Sequence, residues 1–159
     1  MKGWKSLNSN YWLKCHIMTG VKTNVITACE ISKSHDSPMF PSLVQTTAQN
    51  FQIKEIAADK AYSSRKNFDL IDSLGGTALI PFKDKAVFRS DNELRNKMFH
   101  YFSFHRDEFF ARYHMRSNVE STFAAIKAKF CSHVRSKTLK AQENEVLCKV
   151  LCHNVCCLI

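Results

Sequence analysis

FQIKEIAADKAYSSRKNFDLIDSLGGTALIPF, residues 51–82, decides the fold class. It opens with a short apolar run, Phe51 to Ala58, closed at once by Asp59. Ser63 or Ser64 can then cap a helix whose apolar positions are Phe68, Ile71 and Leu74. Gly75-Gly76 ends that helix, since glycine takes the left-handed backbone of a helix C-terminus without a Cβ clash. A second apolar run, Thr77 to Phe82, follows. Strand, helix and strand in this order predict parallel strands joined by a crossover helix.

Working toward the N-terminus, His35-Asp36-Ser37-Pro38 reads as a helix start, with Asp36 or Ser37 as the cap. Phe40, Leu43, Val44 and Thr47 share one face of that helix, which runs to about Asn50. Before it, Tyr11 to Met18 alternates with Leu13, Cys15 and Ile17 on one side, and Val25 to Ile31 is rich in β-branched residues. With Gly20 to Asn24 as the turn, the two form a hairpin. Toward the C-terminus, Lys83 to Arg89 is a basic loop and Ser90 to Glu93 a capping box for a helix through Leu94, Met98 and Phe102. Asp107 to about Phe130 reads as one longer helix, Val134 to Lys140 as a basic connection, and residues 142–159 as a closing apolar helix.

Composition narrows the class. The chain has 159 residues, 45% of them hydrophobic and 23% charged, which suits one packed domain and excludes a disordered tail or a coiled coil. No apolar run approaches the roughly 20 residues of a membrane span, and the first residues have no apolar core of a secretory signal. The formal charge of +9 leans toward a polyanionic partner such as nucleic acid. Seven cysteines, an odd number without an export signal, argue against a disulfide framework and for a reducing, cytoplasmic setting. Cys148, Cys152 and Cys156 fall four residues apart in the closing helix and read as a buried stripe of small apolar groups rather than a metal site. The seven histidines form no H-x-x-x-H pair and read mostly as surface or core fillers.

Two places carry candidate chemistry. Asp59 ends a buried-looking strand, where ligands collect in open α/β sheets, although taken by itself the residue reads first as a turn or helix cap. The second place is YHMRSNVESTFAAIK, residues 113–127. At about 100° per residue, with Tyr113 at 0°, Arg116 falls near 300°, Glu120 near 340° and Lys127 near 320°. Met115, Val119, Ile126 and Phe130 cluster instead near roughly 200–260°, as a core stripe. A solvated charged face would account for Arg116 and Glu120 alone. A phenol, a guanidinium and an amine flanking one carboxylate suit phosphate oxygens and a divalent cation better. Asp59 and Glu120 are hard oxygen donors of the type that hold the paired metal ions of phosphodiester chemistry.

These residues resemble the DDE-type transposases of bacterial insertion sequences. Tyr113, Arg116, Glu120 and Lys127 match the Y-x2-R-x3-E-x6-K signature of that family at every spacing, and Ala58-Asp59-Lys60-Ala61-Tyr62 resembles the block around its second catalytic aspartate. WLKCHIMTGVKTNVITA, HDSPMF, ALIPFK and NEVLCKVLCHN extend the likeness over nearly the whole chain. The resemblance implies an α/β, ribonuclease-H-like mixed sheet flanked by helices. It implies Asp59 and Glu120 as catalytic metal ligands, Tyr113, Arg116 and Lys127 on DNA phosphates, and Mg²⁺ (or Mn²⁺) at a two-metal site. In-line attack on phosphorus by water, then by a freed 3′-hydroxyl, would follow. The implied partners are double-stranded transposon ends and further copies of the chain or an upstream transposase segment, and the implied setting is the cytoplasmic nucleoid.

The chain departs from the family pattern at one point. The family's first catalytic aspartate sits on a strand before the WLKCHIM strand, yet the first 29 residues contain no Asp or Glu. Glu30 lies in the second hairpin strand, and Asp36 matches a position that is not catalytic. The expectation is therefore the C-terminal portion of a DDE catalytic domain, residues 1–159, truncated at its N-terminus, lacking the first strand and inactive alone. A degenerate remnant that binds DNA without cutting it is the alternative. The four-residue signature argues against an unrelated basic α/β domain.

Overall fold

The structure, a computed structural model, describes residues 3–6, 12–32, 37–83, 86 and 93–159. The chain divides into two compact units, Met1–His35 with Ser117–Ile159, and Asp36–Arg116.

The first unit is built on a four-stranded mixed sheet. The hairpin forms as its alternation predicts: β2 (Trp12–Thr19) pairs antiparallel with β3 (Ile26–Ser32), Cys15 opposite Ile31 and Ile17 opposite Cys29. Leu13, Cys15 and Ile17 are buried together. One expectation changes: a strand does precede the hairpin. β1 (Gly3–Ser6) pairs antiparallel with β2 and parallel with β6 (His133–Val134), giving the order β3-β2-β1-β6. The physical reason is Trp4, fully buried against Phe123 with ring centroids 5.8 Å apart, while its indole N–H donates to the Cys131 carbonyl. β1 carries no carboxylate.

Two helices complete this unit, α5 (Asn118–Phe130) and α6 (Leu139–Leu158). Phe123, Ile126, Val146 and Val150 join Trp4, Leu13 and Val134 in one core. α6 starts at a Thr138 cap that accepts from the Ala141 N–H. Its rotation corrects the cysteine reading. Gln142, Val146, Val150 and His153 face inward, and Cys148, Cys152 and Cys156 are exposed beside Leu147, Leu151 and Val155. Polar anchors set that rotation. Gln142 donates to Ser6 and the Ser136 carbonyl, His153 to the Asn24 carbonyl, and the Asn154 amide both donates to and accepts from the Ile26 backbone at 2.8 Å. Those bonds are unavailable if the thiol stripe turns inward.

The second unit contains the segment that opened the reading. α1 (Phe40–Ala48) buries Phe40, Leu43, Val44 and Thr47, the predicted face. β4 (Glu55–Ala57), α2 (Arg65–Ser73) and β5 (Thr77–Leu79) follow, and β4 and β5 pair in parallel, Ile56 opposite Ala78. Ser64 caps α2 through the Asn67 N–H, and Gly75 sits at φ +70°, ending the helix as its sequence predicts. Phe68 and Ile71 are fully buried, and Phe68 stacks on Phe82 at 5.3 Å. α3 (Glu93–Phe104) and α4 (Arg106–Tyr113) close the unit around Phe109. The Asp36 and Ser37 caps, most of the Lys83–Arg89 loop and the capping box before Glu93 lie outside the described residues or side chains.

Candidate functional site

The stretch read as one helix is three elements. α4 ends at Tyr113, His114–Ser117 is a turn of 3₁₀-helix, and α5 begins at Asn118. The single helical wheel for Tyr113 to Lys127 therefore does not hold, because a 3₁₀ turn advances each residue further than an α-helix. Met115, assigned to the core stripe, is exposed on that turn, whereas Ile126 is fully buried and Val119 and Phe130 pack at the core edge.

Asp59, Tyr113 and Arg116 belong to the second unit, and Glu120 and Lys127 to the first. Asp59 stands two residues beyond β4, where the chain leaves the strand in extended conformation. One oxygen, Oδ1, accepts from the Lys60 N–H at 2.8 Å and caps the short turn Lys60–Tyr62, so the capping role is real. The other, Oδ2, faces the Arg116 guanidinium at 3.9 Å. Arg116 in turn lies over the Tyr113 ring, 5.4 Å from its centroid, a cation–π arrangement. Asp59, Arg116 and Tyr113 are thus drawn into one constellation.

Beside it runs a pair that sequence reasoning missed. Arg112 bonds the Glu55 carboxylate and donates to the Tyr101 hydroxyl. Hydrogen bonds to Glu55 and then Tyr101 raise the Arg112 pKa, holding it cationic. No local spacing signals it, because Glu55 and Arg112 stand 57 residues apart along the chain. A cleft of about 450 Å³ beside Arg112 is lined by Lys97, His100, Tyr101, Phe104 and His105. It holds no carboxylate and so lacks the donors a hard cation needs.

In the first unit, Glu120 is exposed in the first turn of α5, where the helix dipole favours a carboxylate. Lys127, in the last turn, places its ammonium 5.8 Å from the Trp4 ring centroid. Sequence reasoning did not single out Trp4, whose burial fixes the platform on which that lysine rests. Among the described residues no group of three acidic, histidine or cysteine side chains comes together to hold a metal. No described helix is long and apolar enough to cross a membrane.

No curated protein and no solved structure matches this chain. A family model described as Transposase DDE domain matches residues 2–155, nearly its full length. With the mixed sheet and flanking helices already described, that match shows that the chain belongs to the transposase DDE domain family.

Proposed function

We propose that this chain serves DNA transposition as a catalytic domain in which Asp59 and Glu120 are metal-binding carboxylates and Tyr113, Arg116 and Lys127 grip DNA phosphates. The observation that carries the reading is the family match over residues 2–155, together with the complete Tyr113–Arg116–Glu120–Lys127 signature. Domains of this family use divalent metals, and the donors here fit one in kind. Asp59 offers a hard, half-exposed oxygen already turned toward positive charge. A divalent cation held there, Mg²⁺ or Mn²⁺, supplies Lewis-acid polarisation of the scissile phosphate and a more acidic attacking water.

The chain's own residues do the positioning. Tyr113 and Arg116 present a hydroxyl and a guanidinium, and Lys127 an ammonium, as donors for the phosphate oxygens of a transposon end. Water and then the freed 3′-hydroxyl attack phosphorus in line. Two protomers on paired ends suit strand transfer, which joins two DNA segments.

Strand cleavage needs a third carboxylate, and the first 29 residues supply none. That observation favours a second reading, in which the isolated chain binds end DNA without cutting it. Incubation with transposon-end duplex and Mg²⁺ or Mn²⁺ separates the two. Binding without cleavage is the expected outcome for the chain alone, and cleavage that survives Glu120→Ala would overturn the assignment of Glu120. Arg116→Ala is expected to weaken end binding and lower its salt slope by about one; an unchanged slope counts against the phosphate role.

A further inference from the structure

We infer that the cleft along α3 binds unpaired DNA, with one base stacked on the exposed ring of Phe104 and a phosphate held by Lys97. The inference goes beyond the signature residues. It uses the side chains of α3 and α4 and stands apart from the metal and phosphate roles proposed above.

α3 carries a ladder of rings on its open face. His100 and Phe104, one turn apart, stack with centroids 5.8 Å apart and planes 14° from parallel. Tyr101 and His105 form a second ring pair beside them, at 5.9 Å. Helical spacing puts Lys97 one turn before the ladder on the same face. Phe104 is 76% exposed, so the His100–Phe104 stack ends in an open ring. A single exposed phenylalanine needs no explanation by itself. The cleft that this one borders gives it meaning.

That cleft, of about 450 Å³, is walled by Lys97, His100, Tyr101, Phe104, His105 and Arg112, with no carboxylate in its lining. Arg112 is committed to Glu55 and Tyr101 and is a fixed wall, not a phosphate ligand. Glu55 offsets part of its charge, so the exposed Lys97 supplies most of the attraction for an anion. The lysine selects negative charge and the open ring selects a flat π-face. An unpaired nucleotide offers both, and single strands are held by this combination of stacking and charge. A duplex does not, because its bases cover one another's faces. Lys97 and Phe104 are seven residues apart, about 10 Å along the helix, so the phosphate on Lys97 belongs to a neighbour of the stacked nucleotide. Cutting and joining of strands frees ends that can leave the duplex, which gives such a cleft its ligand.

Fluorescence anisotropy of a labelled oligothymidylate of about eight nucleotides, titrated with the full chain, tests this. Phe104→Leu keeps an apolar side chain without a ring and is expected to weaken binding about fivefold or more, the effect of losing one stacked base. Phe104→Trp is expected to keep or tighten it. The position is exposed, and circular dichroism checks that both variants are folded. An abasic strand of the same length, with the same phosphates, is expected to bind wild type and Phe104→Leu alike, as is fully paired DNA. Lys97→Ala is expected to lower the salt slope for the single strand by about 0.7. Equal oligothymidylate binding by wild type and Phe104→Leu, or an equal loss on the abasic strand or the duplex, would overturn the stacking site. An unchanged salt slope in Lys97→Ala would overturn the phosphate contact. Thymidine monophosphate as competitor separates a strand from a free nucleotide: displacement only at far higher concentration is expected, and displacement at the concentration of the oligonucleotide itself would overturn the assignment to DNA.

Discussion

Glu145 offers the sharpest quantitative test of how the first unit is held. Its carboxylate accepts the Arg135 and Ser136 backbone N–H groups and the Ser136 hydroxyl, at 2.8–3.2 Å, and pairs with Lys149 at 3.1 Å. It therefore ties α6 to the residues just after β6, the strand that flanks β1. Desolvation pushes its pKa up, but the Ser136, Lys149 and Arg135 bonds outweigh this and bring it from 4.5 to about 2. At roughly 1.4 kcal/mol per pH unit, that depression corresponds to a ceiling of about 3 kcal/mol. The side chain keeps contact with solvent, and screening lowers the expectation to about 1–2 kcal/mol. Because the folded pKa is the lower one, this stability is present above pH 4.5 and is lost as pH falls toward 2. Urea or thermal unfolding of wild type and Glu145→Gln across pH 2–7 reads it directly. The variant is expected to be about 1–2 kcal/mol less stable at pH 7, or roughly 2–8 °C in Tm, with the gap closing in acid. Equal stability at pH 7, or a deficit unchanged at pH 2, would refute the reasoning.

Two further outcomes follow from the first unit. Cys131, Cys148, Cys152 and Cys156 are expected to react rapidly with a thiol reagent in the native protein while buried Cys15 reacts only on unfolding; protection of the α6 thiols would contradict the rotation of α6. Gly3→Ala is expected to disrupt the β1–β2 pairing, since a Cβ there collides with the Leu13 carbonyl oxygen. Amide hydrogen exchange should rise at Gly3–Ser6 and Trp12–Lys14, and unchanged protection would count against the strand.

Much of this was legible in the sequence, for local reasons. The hairpin follows from period-two burial of Leu13, Cys15 and Ile17, and α1 from the 3.6-residue spacing of Phe40, Leu43, Val44 and Thr47. The β4–α2–β5 unit follows from short apolar runs flanking a helix with Ser64 at one end and Gly75 at the other. What escaped depends on contacts distant along the chain. β1 is only four residues long, and its strand state depends on burying Trp4 against Phe123. The inward face of α6 was misread because apolar thiols and leucines surround it, while Gln142 and Asn154, polar in sequence, decide its rotation through bonds to Ser6 and Ile26. The break at His114–Ser117 was missed because a wheel assumes one period throughout. At the candidate site, Asp59 and the signature residues were visible from spacing and family likeness. The Glu55–Arg112 pair was not, because its partners are 57 residues apart.

The central claim is that Asp59 and Glu120 are the metal-binding carboxylates of a transposase domain. Iron-mediated backbone cleavage tests it most directly: Fe²⁺ replaces Mg²⁺ and, with ascorbate and peroxide, releases hydroxyl radical that cuts the polypeptide beside the metal. The account predicts fragments that end near residues 59 and 120, suppressed by excess Mg²⁺ and lost in both Asp59→Asn and Glu120→Gln. Cuts confined to other segments, or cuts at these positions that persist in both variants, would contradict it.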